Sequence, residues 1–100
     1  MHCLTVLYPR PDDPSAFKAY YVEKHVPLAA TLPGLVRHNY AFPRQLGPGE
    51  APFCIFQGFF SDAAAMEAAL GSEVGRKVAA DVPNYSPKGA TLCHFKVEGA

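Results

Sequence analysis

Apolar positions fall along this chain in two rhythms, and the switches between them mark out six elements. The segment "CLTVLY" (3–8) is rich in β-branched and aromatic residues and stops at Pro9, so it reads as a strand. Next, Asp13 is placed to cap a helix and Pro14 suits its first position. Phe17, Tyr21, His25, Leu28 and Leu32 then recur at helical spacing, forming one face of a helix that ends at Pro33-Gly34. "LVRHNYAF" (35–42) alternates as a strand, a Gly/Pro-rich turn region follows, and "FCIFQGFF" (53–60) is the next strand. A second helix starting at Ser61 or Asp62 carries Met66, Leu70, Val74, Val78 and Val82 on one face, with a break expected at Gly71-Ser72 and Ser72 capping the second piece. "VPNYSPKG" reads as loop, and "ATLCHFKV" (90–97) is the last strand.

The order is β-α-β-β-α-β, and the strands differ in a way that arranges them. Residues 3–8 and 53–60 are apolar on both alternating faces, as central strands are. Arg37 and Asn39 share one face of 35–42, and His94 and Lys96 share one face of 90–97, which makes those two the edges. The expected architecture is an α+β, ferredoxin-like antiparallel sheet of order 4-1-3-2, in one domain over residues 1–100, with both helices on one face. The opposite face of the central strands is apolar too, and a patch of that kind exceeds what monomers usually expose. A homodimer through the helix-free face, closing into a dimeric α+β barrel, is the economical expectation.

Composition removes several function classes. Nine basic and nine acidic side chains leave no net charge and no block of one sign, which argues against a nucleic-acid partner or an anionic membrane surface. No apolar run approaches the roughly 20 residues needed to span a bilayer. The start "MHCLTVLYPRP" lacks a basic n-region, so a cytoplasmic protein is expected. Cys3, Cys54 and Cys93 are odd in number, have no CxxC spacing and sit in strand-like segments, as reduced packing residues do. There is no G-x-G-x-x-G, Walker loop or G-x-S-x-G turn, and the four histidines lie on separate elements without metal-ligand spacing. Neither a cofactor nor a metal is expected.

Two stretches carry a family resemblance. "FKAYYVEKHVPLAATLPGLVRHNY" (17–40) resembles the first signature of the EthD family, an F-x-x-Y-(Y/W) helix running into H-x-P-L and L-P-G-L. "ADVPNYSPKG" (80–89) is similar to its second, A-D-V-P-N-F-(T/S), with Tyr85 where phenylalanine is common. The resemblance implies the dimeric α+β barrel superfamily, whose members include muconolactone-type isomerases, polyketide cyclases and cofactor-free monooxygenases. These act on small ring compounds in a cleft between sheet and helices. It also implies that a "reductase" name is attached to many members, an activity no motif of this chain supports.

His25 is the residue around which a function would be built. It shares its helical stripe with Tyr21 and Leu28, so it points at the sheet, and imidazole moves protons near neutral pH. Pro27, two residues on, crowds the carbonyl of Glu23 and is expected to kink the helix and open a gap beside His25. Spacing alone favours a histidine that donates to a main-chain carbonyl and ties the kink down. The resemblance tips the balance toward contact with a ligand. Candidate ligand-binding residues around it are Tyr20, Tyr21 and Leu28 on the helix, His38 and Tyr40 on the second strand, Met66, and Tyr85. Gly58, in an otherwise bulky strand, suggests a bulge or a close approach by a ligand or by Met66. Asp81 is expected to cap or brace the "VPNY" loop. Two functions stay open: a cofactor-independent isomerase, cyclase or oxygenase-like enzyme with His25 as proton carrier, or a non-catalytic small-molecule-binding or accessory protein.

Overall fold

A computed structural model describes residues 1–99. The central strands β1 (His2–Tyr8) and β3 (Cys54–Phe60) lie side by side, with β2 (Arg37–Ala41) and β4 (Thr91–Lys96) at the edges of one antiparallel sheet of order β2-β3-β1-β4. This is the ferredoxin-like arrangement that the strand patterns predict. Register aligns Val6 with Phe56 on one side and Leu92 on the other, so even-numbered residues of β1 share a face with helix-side neighbours. Leu4, Val6 and Tyr8 on that face meet side chains from the helical layer. On the opposite face Cys3, fully buried, stands in register between Phe59 and Phe95.

The helical layer begins with α1 (Pro14–Tyr20), where the Asp13 carboxylate accepts from the Ala16 N–H and Pro14 fills the first turn. The helix then widens instead of kinking. Tyr21–His25 forms a π turn in which the Val26 N–H reaches back five residues to the Tyr21 carbonyl, and α2 (Val26–Ala29) continues from it. The wide turn precedes Pro27, which stands at the start of α2. It also resets the helical phase. Steps of four residues drift about 40° each around an α-helix, yet Phe17, Tyr21, His25 and Ala29 are all buried. The extra residue in the turn absorbs the drift. Ala29, and not Leu28, therefore continues the stripe, and Leu28 is left half-buried beside it.

The second helical segment divides as its sequence predicts. α3 (Ala63–Leu70) is capped by Asp62, and α4 (Glu73–Asp81) by Ser72, whose hydroxyl accepts from the Gly75 N–H. A Cβ on Gly75 would run into the Ala69 and Leu70 carbonyls, so glycine lets α4 pack tightly over the end of α3. A 3₁₀ turn (Val82–Asn84) follows α4 directly.

Packing decides three further positions. Gly58 makes no bulge, since the ladders on both sides run through it without a slip. The space above it is taken by Leu35 and the Phe56 ring, each 3.2 Å from where a Cβ would sit, and not by Met66. Met66 is part of the buried core. All three cysteines are free; Cys3 and Cys54 are buried, but Cys93 is exposed on the edge strand and packs against nothing that covers it.

Candidate functional site

His25 and Asp81 come from opposite helical segments and meet above the sheet. The π turn aims His25 inward, and Asp81 ends α4 at the point where the chain turns back over the helix. The His25 ring is 2.9 Å from Asp81 through Nδ1 and Oδ2. Asp81's other oxygen accepts from the Tyr20 hydroxyl at 2.6 Å and from the Asn84 amide at 3.0 Å. Burial pushes the Asp81 carboxyl upward, but the hydrogen bonds from Tyr20, Asn84 and His25 outweigh it and hold its pKa below the usual value. Asp81 is thus ionised and can only accept, which places the proton on His25 Nδ1.

Burial lowers the His25 pKa, and the adjacent Asp81 carboxylate offsets only part of that shift. At neutral pH the ring is neutral, with a lone pair on Nε2. That nitrogen has no hydrogen-bond partner among the described residues, and it is not sealed off, since the Tyr21 hydroxyl is the fully enclosed side-chain polar atom left without a partner. His25 lines a cleft of about 80 Å³ between the helices and the sheet, whose walls are otherwise apolar: Val6, Ala29, Phe56, Val78 and Leu92 among them. An imidazole with one nitrogen anchored on a carboxylate and the other unbonded is arranged to accept and return a proton.

An aromatic cluster surrounds it. The Tyr21 ring stacks on His25 with centroids 5.5 Å apart, and the Tyr85 ring lies 4.5 Å from His25. Tyr8 and Tyr85 share a hydrogen bond between their hydroxyls at 2.7 Å. Beyond Tyr85 lies a second, more open cavity of about 240 Å³, bordered by Phe17, Ser86 and Lys88, with the Lys88–Asp12 ion pair at its rim.

The structure brings together only some of the residues singled out from sequence. Tyr20, Tyr21 and Tyr85 cluster with His25. Tyr40 touches Tyr21 edge-on but is partly exposed on the edge strand, and His38 stacks on Phe56 at 5.9 Å; neither borders the His25 cleft. Leu28 is replaced there by Ala29. His25 donates to a side chain and not to the main chain. Asp81 does brace Asn84 in its loop, and sequence reasoning stopped at that role. The signal that it also meets His25 was available: both lie in the two signature stretches, which a β-α-β-β-α-β fold packs on one face. The histidines on β1 and β4 are not all apart either, since His2 Nε2 and His94 Nδ1 approach to 2.8 Å across the strands. Among the described residues, however, no three His, Cys, Asp or Glu side chains gather as a metal site would need.

The EthD domain matches residues 10–88 of the chain, from before the first helix to the loop carrying Tyr85. The chain belongs to the EthD family. An uncharacterised 11.0 kDa protein from the thcB–thcC intergenic region of Rhodococcus erythropolis is 33% identical over 93 residues, covering 92% of this chain and 90% of its relative. The crystal structure of an EthD family protein from Bacillus halodurans superposes with a TM-score of 0.86 at 24% identity, over 98% of this chain and 99% of the other. SnoaB of Streptomyces nogalater, described as a cofactor-independent oxygenase, shares the fold with a TM-score of 0.69 at 16% identity, over 99% and 93% of the two chains. In this EthD protein, Tyr85 adds to the signature loop the hydroxyl that bonds Tyr8.

Proposed function

We propose that this EthD protein binds a small apolar, oxygen-bearing compound in the cleft between the first helical segment and the sheet, and moves a proton on it with His25 as the proton carrier. The observation that carries the reading is the division of labour on one ring. Nδ1 is held by Asp81 and Nε2 is unbonded, in a cleft with no other titratable side chain at its walls than Tyr8. Proton transfer of this kind calls on no cofactor, and it is the step that isomerisation, cyclisation and enolisation share. SnoaB, of the same fold, is a cofactor-independent oxygenase, which is compatible with chemistry begun by deprotonation.

The same reading takes the protein as a homodimer. On the face that no helix covers, Phe95 is 43% exposed and Val97 37%, and Leu7 and Ile55 are half-buried. A second copy laid sheet to sheet would cover them.

Solvent exchange tests the proton transfer. Cyclohexanone incubated in D₂O with the protein should exchange its α-hydrogens faster than in buffer, by a factor on the order of 10²–10⁴ for a positioned base, and His25→Asn should remove the acceleration. Cyclohexanone that binds in the cleft and exchanges no faster than in buffer would leave a binding protein in place of an enzyme.

A further inference from the structure

The cleft beside His25 has a closed end and an open end. Its walls from β1, β3 and the first helical segment are buried, Tyr8 and His25 among them. Its walls from α4 and β4 are not. Leu92 borders the cleft from the helix side of the edge strand, in register with Val6, and is nevertheless 57% exposed. From α4, Val78 is half-buried and Ala79 exposed, though both border the cleft as well. That helix is two-sided: Glu73, Arg76 and Lys77 are exposed, while Val74 and Val78 pack toward the core. The two ends of the cleft differ in chemistry too. Among the described residues, Tyr8 and His25 are the polar side chains at its walls, and both belong to the closed end. The open end is aliphatic. A single exposed leucine is ordinary, but Leu92 continues an apolar surface that leads inward to a polar end.

At about 80 Å³ the cleft is small beside the roughly 300–1,000 Å³ of ordinary ligand pockets. A ligand of ordinary size whose head fills it extends past the open end. We propose that the cleft is the head of a longer site, and that the ligand runs an apolar chain out between α4 and β4 across Leu92. The ligand class is then an oxygen-bearing ring with one apolar substituent, such as an alkyl phenol or an alkyl cyclic ketone. Its oxygen lies at the closed end, where His25 and Tyr8 supply the polar contacts. The chain covers the exposed flank of Leu92 and the side of Val78, so each methylene removes apolar surface of both partners from water. A second polar group on the first carbons of the chain would lie against aliphatic side chains without a partner, and the site selects against it.

This inference rests on the cleft being the ligand site, and a series of probes separates the two. Phenol, 4-ethylphenol and 4-butylphenol are titrated by calorimetry into the wild type and into Leu92→Asp. On the wild type, affinity should rise roughly two- to fourfold for each methylene, at one site per chain. Leu92→Asp should bind phenol as the wild type does and lose most of the gain with chain length. If phenol binds and the longer phenols bind no tighter, the exit over Leu92 is wrong and the cleft stands. A gain of the same size in Leu92→Asp also overturns the exit, since the chain then leaves by another route. If none of the three binds the wild type, both readings fail. Light scattering should give Leu92→Asp the mass of the wild type; a halved mass would mean that a second copy covers Leu92 and closes the exit. The series on the wild type decides the matter even if the variant does not fold.

Discussion

Asp81 fixes which nitrogen of His25 carries a proton: Nδ1 donates to Oδ2 across 2.9 Å, and Nε2 is left as the basic atom. Replacing Asp81 by asparagine removes the charge that raises the His25 pKa and leaves burial, which lowers it, unopposed. The His25 pKa of Asp81→Asn, followed by NMR, should lie below that of the wild type. Stability should fall by about 1–3 kcal/mol, since Tyr20, His25 and Asn84 all lose a charged acceptor.

Acid should weaken the fold in two stages. A histidine whose folded pKa is below its unfolded value of 6.5 binds fewer protons when folded, so stability is full above 6.5 and falls as pH drops through the folded value. Asp81, also lowered in the fold, adds a second loss as pH falls below its unfolded value of 3.8. Urea titrations between pH 7 and pH 3 should show both, and His25→Asn should flatten the upper stage alone.

Tyr21→Phe tests the enclosed hydroxyl through the unliganded protein. Deleting a buried donor that has no partner removes a desolvation cost and leaves the stacking on Phe17 and His25 in place. The unfolding free energy should stay level or rise by about 1 kcal/mol. A loss of 2 kcal/mol or more would mean that the hydroxyl is bonded.

The first helix separates its two neighbouring apolar residues by function. Ala29→Leu adds three carbons into the cleft and should abolish phenol binding while the protein folds, at a cost of about 1–3 kcal/mol for overpacking. Leu28→Ala, off the stripe, should bind phenol as the wild type does.

These residues also show where a linear reading stops. The two-sided apolar character of β1 and β3, the polar faces of β2 and β4, and the caps at Asp13, Asp62 and Ser72 are local signals, and each led to the element observed. The stripe was legible at Phe17, Tyr21, His25 and Leu32, all of them buried. Just past His25 a fixed α-helical period points to Leu28, whereas the π turn advances the face to Ala29. Such a turn has no strong local signature, and Pro27 two residues later suggested a kink instead. The His25–Asp81 bond spans 56 positions and joins two helical segments; the two signature stretches point to a shared face, and the packed fold brings the pair to bonding distance. The Tyr8–Tyr85 bond, 77 positions apart, is of the same kind.

Light scattering tests the assembly. The protein should show twice the 10.8 kDa chain mass at micromolar concentration, and Phe95→Lys, which puts a charge on the uncovered sheet face, should halve it. A wild type that runs as a monomer contradicts the sheet-to-sheet dimer.

The account turns on the state of one ring, and ¹⁵N NMR of the His25 imidazole reads it directly. At pH 7 the ring should be neutral with its proton on Nδ1, and phenol should shift the Nε2 resonance as that lone pair gains a donor. An Nε2–H tautomer, an imidazolium, or an Nε2 signal unmoved at saturating phenol would contradict the assignment of His25 as the proton carrier of the cleft.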